Sequence, residues 1–252
     1  MNSDFDRQLA DAATLPFSGW DFSVLTGRWR RGNPPWDYAA LLREKMRAAA
    51  SMVDLGTGGG EFFASLAPLP ETSFATDGYP PNVAVAQRRL APLGVRVLPI
   101  DSDLHIDLPD QSMDLVACRH EDFSASETLR ILRPGKWFIT QQTGPRNNIE
   151  IQARFGTHPP PPTNHLQSLA AFAAELAGAG FEVRQTAEAV HTDEFLDVGA
   201  VVYYLRAIPW EVPDFSMDRN RETLREIYQE IQRTGSFRVT THRLLVTAQR
   251  PE

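Results

Sequence analysis

Ser51-Met52-Val53-Asp54-Leu55-Gly56-Thr57-Gly58-Gly59-Gly60-Glu61-Phe62-Phe63 is the stretch on which the reading of the fold turns. Met52, Val53 and Leu55 make a short apolar strand. The glycines make a turn into a helix that starts near Glu61 and shows Phe62, Phe63 and Leu66 on its apolar face. Glycine lacks a Cβ and tolerates positive φ, so such a turn lets a bulky polar ligand approach the backbone, and the helix start offers it free N–H groups. Glycines alone are also compatible with a tight turn that binds nothing. The context favours a ligand, because a strand precedes, a helix follows, and Asp77 ends the next strand.

Upstream, Tyr38, Leu41, Leu42 and Met46 have the spacing of an amphipathic helix within 37–50. Downstream, Pro68 and Pro70 keep the helix after the glycines short. Strands are expected at 72–76, 95–100, 114–118 and 137–140. Helices are expected at 82–90 and 125–132, the second with Ser124 and Glu127 as a capping box. Residues 141–163 show little periodicity and end in the run Pro159 to Pro162. Beyond it come a helix capped by Asn164 and Gln167, a strand over 181–189, helices over 198–208 and 219–234, and a last strand over 237–248. In that last strand the polar run Thr240-Thr241-His242-Arg243 suggests a face that meets solvent or substrate.

Strands alternating with helices up to residue 140 imply an α/β sheet with helices on both faces, and a ligand belongs beyond the carboxyl ends of its strands. The glycine turn, Asp77, Asp101 and the pair Arg119-His120 all fall at those ends. Asp77 lies 21 positions beyond Gly56, close to the roughly 20-residue spacing at which an acidic side chain receives a ribose diol.

Thirty-two acidic against twenty-five basic residues give a formal charge of −7, which disfavours broad electrostatic binding to nucleic acid. One cysteine, Cys118, excludes an internal disulfide framework. No apolar run reaches membrane-spanning length and the start lacks the order of a secretion signal, so a cytoplasmic location is expected. The six histidines form no H-x-x-x-H pair, and no metal site is expected. The chain 1–252 reads as a single domain, with 190–235 as a substrate-side insertion within it. Residues 1–38 read as irregular and rich in aromatics, interleaved with Arg28, Arg30 and Arg31. Such a segment either covers the core or forms a lid over the ligand, since aromatics bury an organic group and arginines can meet a carboxylate.

Five motifs in order carry a resemblance: Val53 to Glu61, Ala75 to Asn82, Pro99 to Asp103, Leu108 to His120, and Ile131 to Phe138. Over roughly 50–141 the chain resembles the class I S-adenosylmethionine-dependent methyltransferases. The resemblance implies a Rossmann-like, seven-stranded, mostly parallel sheet whose last strand runs antiparallel beside strand six. It also implies S-adenosyl-L-methionine as cofactor and methyl transfer to a small-molecule substrate. RNA or protein methylation, and a non-catalytic cofactor-binding regulatory protein, are the alternatives. Glu61 stands where a dinucleotide fingerprint has its third glycine, which counts against a nicotinamide enzyme.

The cofactor residues implied are Asp54, Gly56, Gly58, Asp77, Gly78, Tyr79, Asp101, Ser102, Arg119 and His120. Asp77 is expected to accept both ribose hydroxyls, Asp101 with Ser102 to meet the adenine, and Asp54 to serve the amino-acid end, although each aspartate also suits a plain turn. His120 and Glu121 are the candidates for moving a substrate proton, against a structural histidine. Substrate contacts are expected from Trp20, Trp29, Gln141, Gln142, Asn147, His165 and Tyr203. A methyl transfer is an in-line displacement that depends mainly on alignment, so a dedicated base is needed only when the acceptor must lose a proton.

Overall fold

A computed structural model of the protein describes residues 4–157 and 168–252; His165, and the caps expected at Asn164 and Gln167, lie outside the described residues. In chain order the elements are α1 (Asp4–Thr14), β1 (Trp29–Arg30), α2 (Tyr38–Met46), β2 (Ser51–Leu55), α3 (Glu61–Ser65), β3 (Thr72–Asp77), α4 (Pro80–Leu90) and β4 (Arg96–Pro99). They continue with β5 (Met113–Arg119), α5 (Ala125–Ile131), β6 (Leu132–Thr143), α6 (Ile149–Phe155), α7 (Leu169–Gly178), β7 (Glu182–Phe195), α8 (Val198–Ala207), α9 (Arg221–Thr234) and β8 (Phe237–Gln249).

The strands form one sheet in the order β1-β7-β8-β6-β5-β2-β3-β4. The pairs β2–β3, β2–β5, β3–β4 and β5–β6 are parallel. The last strand, β8, runs antiparallel between β6 and β7. This is a Rossmann-like α/β arrangement with eight strands rather than the expected seven. The extra strand is β1, which pairs Trp29 with Phe195 and Arg30 with Glu194. It exists because β7 runs on to Phe195, six residues past its expected end at Ala189, held along its length by β8.

Side-chain alternation divides the core. Val53, Leu55, Val116 and Phe138 face one side, against α5 and α7. Met52, Leu115, Ala117 and Ile139 face the other, against α2, α3 and α4. A third cluster joins Phe5, Leu9 and Ala12 of α1 to the apolar faces of α8 and α9. The start of the chain is therefore not irregular as expected. Phe5, Leu9 and Ala12 recur at helical spacing and are buried.

Side-chain caps set the helix starts: Asp37 accepts from Ala40 N at 3.0 Å and Ser124 from Glu127 N at 3.2 Å. The capping box at α5 is only half made. The Glu127 carboxylate turns to Arg130, at 2.6 and 2.7 Å, and to Ile106 N, at 2.6 Å. Asp197 caps α8 through Ala200 N at 2.9 Å and also receives Arg28 Nε at 2.8 Å, tying the N-terminal segment to α8. Asp197→Ala should therefore lower unfolding free energy by about 1–2 kcal/mol in urea denaturation; an unchanged midpoint would show that this tie contributes nothing.

Candidate active site

The strand order reverses beside β2, where the chain has gone outward to β3 and β4 on one side and to β5 and β6 on the other, and the crevice at the strand tips opens there. A cavity of about 760 Å³ fills it. Its floor is the turn after β2, with Gly56 at φ 65° and Gly58 at φ 61°. A Cβ at Gly56 would overlap the Glu121 side chain, and one at Gly58 would lie 3.0 Å from Trp20 Cβ. The Asp77 carboxylate pins the turn: Oδ2 accepts from Gly58 N and Oδ1 from Tyr79 N, both at 2.8 Å. Glu61 receives Trp20 N at 3.4 Å and pairs with Arg89, so it ties the N-terminal segment to the start of α3.

The cavity wall is acidic. Burial raises the pKa of Asp54 to about 6, with Arg119 pulling the other way. Burial, with Asp103 and Asp77 nearby, raises Glu121 to about 7. Burial also raises Asp77, against its two backbone hydrogen bonds. Each shift records the cost of keeping a carboxylate charged away from water.

His120 stands at the end of β5 with φ 61°, a left-handed conformation that a non-glycine residue adopts only where its surroundings hold it. Trp36 Nε1, a donor only, gives its proton to Gln141 Oε1 at 2.8 Å, which fixes the amide orientation. Gln141 Nε2 then donates to His120 Nε2 at 3.1 Å, so the His120 proton resides on Nδ1. Burial, reinforced by Arg243, Arg119 and Arg31, pushes the His120 pKa well below the usual histidine range. The ring is neutral, with its lone pair already engaged.

A second cavity, of about 430 Å³, adjoins the first and shares Trp20, Arg119, His120, Thr143 and Trp210 with it. Trp20 and Trp210 stack with ring centroids 6.0 Å apart. Deeper in, Asn148 Nδ2 donates to Tyr204 Oη at 2.8 Å and to Glu211 Oε1 at 2.5 Å.

Of the residues expected from sequence, Asp54, Gly56, Gly58, Asp77, Gly78, Tyr79, Arg119, His120, Glu121 and Gln142 line the larger cavity. Trp29 and Asn147 line the smaller one, and Trp20 lines both. Asp101 and Ser102 are exposed and line neither; Ser102 Oγ instead accepts from Leu104 N at 3.1 Å within its own turn. Gln141 acts through His120 and Trp36 rather than lining a cavity, and Tyr203 donates to Pro16 O at 3.1 Å. Arg243, Tyr204, Glu211 and Trp210 line the cavities without having been expected there. Arg243 lay in the polar run of its strand, and Tyr204, Trp210 and Glu211 fall within the substrate-side insertion expected over 190–235.

The family model described as the methyltransferase domain matches residues 53–140. The matched segment runs from β2 to the middle of β6 and holds the glycine turn and Asp77, so this part of the chain is similar to a methyltransferase domain. A Bacillus halodurans structure described as a methyltransferase shares 18% identity and a TM-score of 0.62, over 86% of this chain and 99% of that one. YcgJ from Bacillus subtilis shares 16% identity and a TM-score of 0.58, over 85% and 98%. A Galdieria sulphuraria structure described as a sarcosine dimethylglycine methyltransferase shares 15% identity and a TM-score of 0.52, over 84% and 82%. No curated protein matches the sequence.

The larger cavity suits S-adenosyl-L-methionine, the cofactor that the sequence resemblance implies. Gly56 and Gly58 line it without side chains of their own, and the acidic wall complements a sulfonium cation. Among the described residues no group of three or more His, Cys, Asp or Glu could hold a metal ion, and no helix is long and apolar enough to cross a membrane. S-adenosylmethionine carries one more positive charge than S-adenosylhomocysteine, so ionised Glu121 and Asp54 favour it selectively. Its affinity should fall as pH drops from about 8 to about 5 and these carboxylates take up protons, while that of S-adenosylhomocysteine falls less. Calorimetric titration of both ligands checks this, and equal pH dependence would contradict it. Glu121→Gln should remove the part of the loss nearest pH 7.

Proposed function

We propose that the chain transfers the methyl group of S-adenosylmethionine, held in the larger cavity, to a small organic molecule held in the smaller one. The observation that carries this reading is the shared wall: Arg119, His120 and Thr143 border both cavities, so a group at their junction reaches from one into the other. The Galdieria sulphuraria neighbour, described as acting on sarcosine and dimethylglycine, supports a small acceptor.

Asp77 lines the cavity with acceptor capacity beyond its two backbone bonds, and Asn82 beside it shares that capacity, so the pair is placed to receive the ribose hydroxyls. Tyr79, 62% exposed at the cavity rim, is free to cover the adenine. Gly56 and Gly58 admit the cofactor to the backbone, and Asp54 with Arg119 serves its amino-acid end. Asp101 and Ser102 take no part in this assignment, since neither lines the cavity. The segment from Pro16 to Arg31 acts as the lid, and the residues following β7 supply the far wall through Tyr204, Trp210 and Glu211.

When bound, the cofactor supplies an electrophilic methyl group on sulfur. The protein supplies alignment and water exclusion, through the stacked Trp20 and Trp210 and the fixed His120 ring. His120 donates from Nδ1 rather than taking a proton. Glu121 lines the cofactor's cavity and not the acceptor's, so its charge serves the cofactor.

With labelled S-adenosylmethionine and fractionated cell extract, the label should enter a low-mass fraction insensitive to nuclease and protease. Label in RNA or protein would overturn the small-acceptor reading, and tight cofactor binding with no label transferred would mark a regulatory protein instead.

A further inference from the structure

The smaller cavity gathers three guanidinium groups from distant parts of the chain: Arg31 beyond β1, Arg119 at the end of β5 and Arg243 in β8. Among the described residues none of the three forms an ion pair with a carboxylate. Arg31 lies over the Trp29 ring, 4.8 Å from its centroid, and Arg119 over the Phe62 ring at 3.8 Å. Arg243 Nη1 donates to Asn147 Oδ1 at 2.7 Å and to His242 O at 3.0 Å, both neutral acceptors. Arg119 and Arg243 are half-buried, and a cation that loses water with no carboxylate in direct contact is costly unless a ligand completes it. Burial lowers the pKa of both Arg119 and Arg243, with Arg31 adding to it and the nearby carboxylates of Asp54 and Asp193 respectively pulling the other way.

The acidic groups in the same wall are engaged with other partners. Asp193 Oδ1 accepts from Gly32 N and Asp21 Oδ1 from Ser23 N, each at 2.8 Å. Glu211 accepts from Asn148, and burial pushes its carboxyl toward the neutral form. The indole N–H of Trp29, a cavity residue, is buried without an acceptor. The wall thus sets three guanidinium groups against Asp21, Asp193 and a Glu211 that burial pushes toward its neutral form.

We infer that the acceptor is an organic carboxylate, its anionic group bound by Arg243 and Arg31 and its apolar body lying among Trp20, Trp29 and Trp210. This rests on the smaller cavity being the acceptor site. The planar guanidinium fork suits a carboxylate, and three acidic side chains in the same wall disfavour a doubly charged phosphate.

The test holds the protein saturated with S-adenosylhomocysteine and titrates matched acids and primary amides: benzoate and benzamide, indole-3-acetate and indole-3-acetamide, hexanoate and hexanamide. Ligand-observed NMR should show acids preferred over their amides by about tenfold or more, the scale of one charge-assisted hydrogen bond. Arg31→Gln and Arg243→Gln should each reduce that preference severalfold while S-adenosylhomocysteine affinity stays unchanged. Arg31 is exposed, so its variant carries the test if Arg243→Gln does not fold. Amides binding as well as acids, a preference that survives both substitutions, inorganic phosphate competing as strongly as the acids, or no acid binding at all would overturn the inference. Failure of the wild-type protein to bind S-adenosylhomocysteine would instead overturn the cofactor reading beneath it.

Discussion

One carboxylate joins the two strand tips between which the cofactor cavity opens. Asp77, at the end of β3, holds Gly58 N of the turn after β2 with one oxygen and Tyr79 N at the start of α4 with the other. The turn contains Gly56, Gly58, Gly59 and Gly60 and has little intrinsic preference for any one path. What selects its path is this pin, together with the bonds from Gly56 N to Thr76 Oγ1 at 3.2 Å and from Thr57 N to Thr76 O at 2.8 Å. The same carboxylate is thereby placed in the cavity, with the Asn82 side chain beside it.

The two halves of the sheet divide the work. The parallel strands β2, β3 and β5 present their tips, the glycine turn and the acidic wall. The antiparallel end, where β8 lies between β6 and β7, contributes Arg243 and Asp193 and carries α8 with its buried Tyr204. The N-terminal segment closes over both. It is anchored at one side by Arg28 on Asp197 and at the other by Trp20 N on Glu61. Glu61, which departs from the dinucleotide fingerprint, is thus a fastening point for the roof.

The parallel half was legible in the sequence because its determinants are local: apolar runs, a glycine turn, and an acidic residue a fixed distance away. The β1 strand was not, since two residues become a strand only through the far end of β7, more than 160 positions on. Asp101 is a different case. Its place after β4 suggested the cavity, yet the turn that follows keeps it exposed. The state of His120 depends on the chain from Trp36 through Gln141, and no spacing rule connects residues 36, 120 and 141. Arg243 sat within a polar run of an otherwise apolar strand, a visible anomaly, but its convergence with Arg31 and Arg119 is purely tertiary.

The central claim is that the strand tips cradle the cofactor so that its sulfur faces the smaller cavity. A crystal structure of the complex with S-adenosylhomocysteine tests it most directly. The account predicts both ribose hydroxyls within hydrogen-bond distance of Asp77, and the sulfur at the junction of Arg119, His120 and Thr143. A ligand seated elsewhere, or one whose sulfur points away from that junction, would contradict it.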